Sequence, residues 1–204
     1  AGSTGDGITM AEKVGAVLYE EPWTIGLGVG STVEGTGGIA WDWTKVYVNG
    51  EGERYMNEQS HYAIVTNKTY EQENPWFVLD SAEANAQLIE SLEAALDGGE
   101  VVKADTVEAL AEGMGVPADK LKATLDEYNA NAEAGEDPLG KAAELLVPLN
   151  TAPYYAIKMY PKTMGTFGGV KTNENYEVVK EDGSVIPNLY ATGETANKVL
   201  YNQV

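Results

Sequence analysis

Cysteine is absent from the 204 residues, which excludes disulfides, thiolate metal sites and a cysteine nucleophile. Positive charge is scarce as well. Thirteen lysine and arginine residues stand against thirty-two acidic ones, for a formal net charge of −19. A surface of that sign repels phosphates and speaks against nucleic acid or anionic lipid as a partner; solubility is its ordinary use. Arg54 is the one arginine and His61 the one histidine. No apolar run approaches the eighteen residues that a membrane-spanning helix needs. Ala1-Gly2-Ser3-Thr4 shows neither an initiator methionine nor a charged-then-apolar leader, so the expectation is a start inside a longer protein.

What is present is apolar content sufficient for a core, arranged as mixed helix and strand. Near the C-terminus, Gly165-Thr-Phe-Gly-Gly-Val170 is a glycine turn suited to close backbone approach. Asp182-Gly183 is a turn signal between Tyr176–Lys180 and Val185–Ile186, which predicts a β-hairpin. Leu189-Tyr-Ala191 then predicts a short buried strand delivering Glu194 to a loop. At the other end, Ile8, Met10, Ala11 and Val14 carry helical spacing that ends near Gly15, with Asp6 placed to cap it.

The glycines from Gly26 to Gly38 do not make a dinucleotide fingerprint. The third glycine of G-x-G-x-x-G is Ser31 counted from Gly26 and Val33 counted from Gly28, and no helical pattern follows. The expectation there is irregular strand and loop. Trp41 to Asn49 alternates like a strand, and Asn49-Gly50 turns into Glu53-Arg-Tyr-Met-Asn-Glu58, where Arg54 reads as a structural ion pair. Trp76–Leu79 predicts a buried strand, with Asp80-Ser81 capping a helix along Ala84, Leu88, Leu92 and Leu96. Asp105 or Thr106 caps a helix over Val107–Gly113, and Pro117 opens another with Leu121, Leu125 and Tyr128 on one face. Gly135-Glu-Asp-Pro138 reads as its exit loop and Thr151–Pro161 as a return strand.

Taken together, T-G-D-G-x-x-M-A-x-x-x-G-A, G-E-R-Y-M-N-E, P-Y-Y-A and T-F-G-G-V … G-S-V-I-P-N-L-Y-A-T-G-E resemble the fumarate reductase/succinate dehydrogenase flavoprotein family. That family includes flavocytochrome-type fumarate reductases and 3-ketosteroid dehydrogenases. The resemblance implies an α/β chain: an α+β capping domain over 46–163, flanked by partial FAD-binding segments at 1–45 and 164–204. It implies FAD as cofactor, with Asp6, Gly168, Gly169 and Glu194 as the residues that touch it. It implies a small-molecule substrate, oxidation or reduction of a C–C bond, and a redox partner or a haem or FMN domain. The strand–G-x-G-x-x-G–helix that would hold the FAD pyrophosphate is not in this sequence, so weak FAD retention by these residues alone is expected.

The chain departs from the family's dicarboxylate enzymes where they grip substrate. Their histidine pair before T-x-G-G is replaced by Met164-Gly165. Gln59–Val65 carries no arginine, and none follows Leu79-Asp80. The expectation is therefore an enone or acrylate-type substrate, because fixed charges for two carboxylates are missing. A true fumarate reductase and a non-catalytic capping module are the alternatives. His61, Tyr62 and Tyr155 are the catalytic candidates, with Tyr154 and Tyr160 as further hydroxyls of the kind that the 3-ketosteroid branch uses.

Overall fold

A computed structural model describes residues 4–20 and 22–197, and they form two compact units, one of 1–25 with 163–204 and one of 26–162. Residues 1–3, Glu21 and the C-terminal residues after Asn197 lie outside the described residues. The chain enters the second unit within β1 (Trp23–Gly30) and leaves it within β6 (Tyr160–Gly169). Within each unit the paired strands are antiparallel.

The larger unit is built on a four-stranded sheet in the order β2 (Val46–Val48), β3 (Trp76–Leu79), β5 (Tyr154–Lys158), β4 (Val101–Ala104). Val46 pairs with Val78, and Phe77 with Ile157. Strand side chains alternate between faces, and here both faces are covered. Val46, Val48, Trp76, Val78 and Ala156 meet α4 (Val107–Met114) and α5 (Ala118–Ala134) through Leu110, Leu121, Leu125 and Tyr128. Tyr47, Phe77, Leu79, Tyr155 and Ile157 meet Val65 of α2 (Tyr62–Tyr70) and Leu92 of α3 (Ala86–Glu93). Two-sided burial explains why β2 and β3 are apolar at every position rather than at alternate ones.

The helix ends follow their chemistry. Thr106 Oγ1 accepts the Ala109 N–H at 3.1 Å and caps α4, a bond worth about 1 kcal/mol. Gly115 and Gly135 end α4 and α5 in left-handed backbone. Asp80 does not cap α3. It accepts N–H groups of Asn150 and Thr151, both at 2.9 Å, as well as that of Ala82, so it ties the end of β3 to the return loop, and a short 3-10 turn at Glu83–Asn85 precedes the helix.

Three expectations change. The glycines Gly26, Gly28 and Gly30 lie in a regular strand, because α2 packs on Gly26 and Gly28 and Lys162 lies over Gly30. Thr66 Oγ1 donates to Gly28 O at 2.8 Å, and a Cβ at Gly26 would overlap Thr66. The strand expected from Trp41 shrinks to Val46–Val48, with a 3-10 turn at Ile39–Trp41. In place of a strand, Glu53–Glu58 makes one bridge, Arg54 to Val48.

The smaller unit packs α1 (Asp6–Lys13) with the hairpin β7 (Glu177–Val179)–β8 (Val185–Tyr190) around Ala11, Val170 and Val178. The hairpin forms where Asp182-Gly183 places it, with Gly183 at φ +79°. Gly5, in left-handed backbone, takes the N-cap place ahead of α1, so Asp6 stands in the first turn without a side-chain capping bond. Leu189-Tyr190 belongs to β8 and is not buried: Tyr190 is 62% exposed.

Candidate functional site

In the smaller unit, three stretches converge. β6 pairs with β9 (Ala196–Asn197) through Gly168–Asn197 and Gly169–Ala196, which brings the glycine turn against the chain just after Glu194. Glu194 Oε1 accepts the Thr166 N–H at 3.2 Å, and Val170 N–H donates to Thr195 O at 2.8 Å. A Cβ at Gly165 would fall on Glu194 Oε1, and one at Gly169 on the Thr195 carbonyl, where φ is also +81°. Gly169, in left-handed conformation against backbone, must be glycine for the turn to close, whereas at Gly165 only the end of the Glu194 side chain would have to move. Thr195 in addition faces Gly7, so the first turn of α1, with Asp6, joins the same corner. A groove of about 500 Å³ opens beside it, lined by Met10, Val14, Leu189, Tyr190 and Thr195. Side-chain-free backbone next to a carboxylate and an apolar groove fits a flat, hydroxyl-bearing cofactor such as FAD: rings need close approach, and hydroxyls need acceptors. Thr195, which holds the corner together, was not singled out from the sequence; only the pairing of β6 with β9 reveals it.

In the larger unit, His61 is the N-cap of α2. Its Nδ1 accepts the Ala63 N–H at 3.3 Å, leaving Nε2 as the donor nitrogen of the neutral ring. Its ring stacks on Tyr62 at 4.1 Å between centroids, tilted by 34°. The sequence expectation put His61 after a strand; the helix was missed because its apolar pattern is weak and Ser60-His61 is not an acidic or amide cap. Tyr155 lies apart from this pair. Its ring is buried in the sheet, its hydroxyl donates to Glu93, and Lys103 bonds the same carboxylate at 2.6 Å. Burial, followed by the hydrogen bond to Glu93, raises the Tyr155 hydroxyl above its ordinary value. Tyr160 donates to Glu100 at 2.9 Å, while Tyr154 is half-buried at the start of β5.

Arg54 is spent inside the protein. It bonds Glu58 through Nε at 2.8 Å and Nη2 at 2.7 Å, and Asp137 through Nη1 at 2.6 Å and Nη2 at 3.0 Å. Glu58 also receives Lys141 Nζ at 3.2 Å and the Tyr47 N–H at 3.1 Å, and both cations lie 5.2 Å from the Tyr128 ring centroid. Burial works against the guanidinium charge, but the Glu58 and Asp137 bonds outweigh it and raise its pKa. Burial likewise pushes Lys141 down. Lys45, also buried, is held by Asp42 at 2.6 Å and Asn85 at 2.7 Å. Cations committed this way hold the loop at 137–141 on α5 and are not free to meet a ligand.

Among the described residues, no helix is long and apolar enough to cross a membrane, and no cluster of histidines and carboxylates could hold a metal ion.

Comparison with known proteins places the chain. A family model described as "FAD binding domain" matches residues 1–202. The chain is 31% identical to a 3-oxosteroid 1-dehydrogenase of Mycobacterium tuberculosis (strain ATCC 25618 / H37Rv), over 97% of its own length and 42% of that protein. It is 32% identical to an NADH:acrylate oxidoreductase of Vibrio harveyi, over 96% of its length and 20% of that protein. Among solved structures, it superposes on the open conformation of a flavocytochrome c3 fumarate reductase with a TM-score of 0.69 at 25% identity, covering 97% of this chain and 36% of that one. A 3-ketosteroid delta1-dehydrogenase from Sterolibacterium denitrificans shares the fold, with a TM-score of 0.76 at 24% identity, covering 98% of this chain and 42% of that one. The chain thus spans less than half the length of these relatives. A match along nearly every residue, on top of the glycine turn and its carboxylate, settles the family: the chain belongs to the FAD-binding flavoproteins that include the fumarate reductases and 3-ketosteroid dehydrogenases, whose cofactor is FAD.

Proposed function

We propose that this chain is part of an FAD-dependent oxidoreductase that reduces or oxidises an activated C–C bond, and that its substrate is an enone or acrylate-type compound rather than a simple dicarboxylate. The observation that carries the substrate reading is the commitment of Arg54 to Glu58 and Asp137. Each carboxylate brought into a desolvated site needs its own fixed cation or set of donors. The one arginine here is already neutralised, and Met164-Gly165 stands beside the glycine turn. An acrylate carries one carboxylate and an enone none, so backbone N–H groups or a hydroxyl can polarise the carbonyl.

FAD, when bound, supplies the hydride chemistry. On this reading Asp6, Gly168, Gly169 and Glu194 hold it: the glycines admit its ring system, and the carboxylates accept from its hydroxyls. Gly169 packs on the Thr195 carbonyl, Gly168 pairs with Asn197, and Gly7, next to Asp6, faces Thr195, so the four positions border one short stretch around residues 194–197, which supports the assignment. The segments at 1–45 and 164–204 are pieces of the flavin domain, and 46–163 is the cap over the substrate. The division into compact units favours a first boundary nearer residue 25. His61 and Tyr62 are the proton-transfer candidates whose donors stay available, whereas the Tyr155 hydroxyl is engaged with Glu93. Electrons come from a redox partner or from a haem or FMN domain, in keeping with the likeness to a flavocytochrome.

A steady-state assay of the FAD-loaded protein with a chemical electron donor tests this. Acrylate or a cyclic enone should be reduced at least tenfold more efficiently than fumarate, and His61→Gln should shift the pH–rate profile. Efficient fumarate turnover would favour a fumarate reductase instead, and an unchanged profile would remove His61 from proton transfer.

A further inference from the structure

Nine lysine and arginine residues fall in the larger unit, and folding treats one of them differently. Eight lie within 4 Å of a carboxylate: Lys45, Arg54 and Lys141 inside the protein, the other five at its surface. Lys162, in β6, is the exception. Among the described residues no carboxylate lies within 4 Å of its ammonium and no hydrogen bond holds it. In a chain of net charge −19 a cation finds a carboxylate easily, so this isolation has a local cause. The cause is the path of the side chain, whose end lies on β1: a Cβ at Gly30 would overlap Lys162 Cε and Nζ. Gly30 is not in left-handed backbone, so no turn requires glycine there; what the missing side chain leaves is room for the ammonium. Gly28, two residues back along the strand, is covered by Tyr62, whose Cβ lies 3.8 Å from a Cβ built there. An unspent cation and a proton-transfer candidate thus lie over one strand, at positions about 7 Å apart along it.

We propose that Lys162 is the specificity-determining cation of the substrate site: its ammonium meets the single carboxylate of the substrate, and the bare backbone at Gly30 sets where that charge stands. The inference rests on the reading of an acrylate-type substrate given above and deepens it by naming the residue that selects for one charge. An ammonium is a compact point charge with three rotatable donors, so it holds a carboxylate without the fixed fork that an arginine imposes. Unlike Arg54, it has no bond to break before it can meet a ligand. One such cation pairs one carboxylate, and a second carboxylate on the same ligand would still stand alone.

The test compares acrylate with methyl acrylate, which share the double bond and the carbonyl and differ in charge. In the FAD-loaded protein, Lys162→Met keeps the apolar stem and removes the ammonium. It should lower the ratio of kcat/KM for acrylate to that for methyl acrylate by about tenfold, the size of one charge-assisted hydrogen bond. Gly30→Ala keeps the charge but fills its place; only the flexible end of Lys162 has to move, so the strand is retained and the ratio should fall in the same direction. A second readout needs no turnover. With the lysines reductively methylated with isotopically labelled formaldehyde, the Lys162 methyl resonance is assigned by its loss in Lys162→Met. It should shift on adding propionate and stay in place with propionamide. Turnover of both compounds with a ratio that survives the two substitutions, or a Lys162 resonance indifferent to propionate, overturns the assignment alone. Turnover of neither compound by the wild-type protein overturns the underlying reading, and the assignment with it.

Discussion

Replacing Arg54 by methionine separates a structural arginine from a substrate-binding one. The side chain is 8% exposed, and its two partners, Glu58 and Asp137, are fully buried. Removing one member of a buried ion pair strands its partners and costs about 3–5 kcal/mol, more than the pair contributes against an apolar replacement of the whole set. Glu58 keeps Lys141 and the Tyr47 N–H, whereas Asp137 keeps the backbone N–H of Lys141, so neither is left without any donor and the lower half of that range applies. For a domain of this size each kcal/mol is worth about 2–4 °C in Tm, so thermal unfolding should begin about 6–15 °C lower. Arg54→Lys, which restores one charge but not the four-bond fork, should fall between. Calorimetry or circular dichroism on the three proteins decides the matter. If Arg54→Met unfolds within about 1 kcal/mol of wild type while the FAD-loaded protein loses activity on carboxylate substrates alone, the arginine serves ligands. The argument for a weakly charged substrate would then collapse.

Asp137 gives the same network a pH signature. Burial opposes its charge, but the Arg54 bonds outweigh that and hold its folded pKa below the ordinary aspartate range. Its contribution is therefore complete above the unfolded value near 3.8 and is lost as pH falls through the depressed folded one. Asp137→Asn should lower stability at pH 7 while flattening its decline between about pH 5 and pH 2; urea midpoints that fall in parallel for the two proteins across that window would refute the assignment. At the glycine turn, Gly169→Ala places a Cβ on the Thr195 carbonyl at φ +81°, so β6 and β9 must separate. Hydrogen exchange at Val170 should rise at least tenfold and FAD retention should fall, and unaltered exchange would show that the turn tolerates a side chain.

How much of this was open to reading depended on how local the determinant was. Turns and caps were legible because two or three adjacent residues decide them: Asp182-Gly183 made its hairpin, Thr106 its cap, and Gly135 its helix end. The buried face of α5 was legible too, since Leu121, Leu125 and Tyr128 repeat at helical spacing. What failed was decided at long range. Asp80 looks like a helix cap until residues 150 and 151 arrive beside it. Gly26, Gly28 and Gly30 look like loop until Thr66, Tyr62 and Lys162 in turn come to lie over their missing side chains. Arg54 was readable as an ion pair with Glu58, four residues away, yet not with Asp137, which lies 83 residues on.

That same division explains why the proposed cofactor corner stands out in the sequence and the proposed substrate side does not. The corner is a backbone device, and backbone devices need glycine at fixed places, so Gly165, Gly168 and Gly169 betray it in one dimension. Substrate selection rests on which charges remain unspent after folding, and no linear pattern records that. The sequence offers thirteen cations; folding buries Arg54, Lys45 and Lys141 in ion pairs and pairs Lys103 with Glu93. Lys68, Lys120, Lys122 and Lys158 likewise lie within 4 Å of a carboxylate on the surface of the larger unit. On the proposed reading, a unit with most of its cations taken up in this way would disfavour a doubly charged ligand by leaving its second carboxylate unpaired, at a cost of several kcal/mol, about a hundredfold or more in affinity.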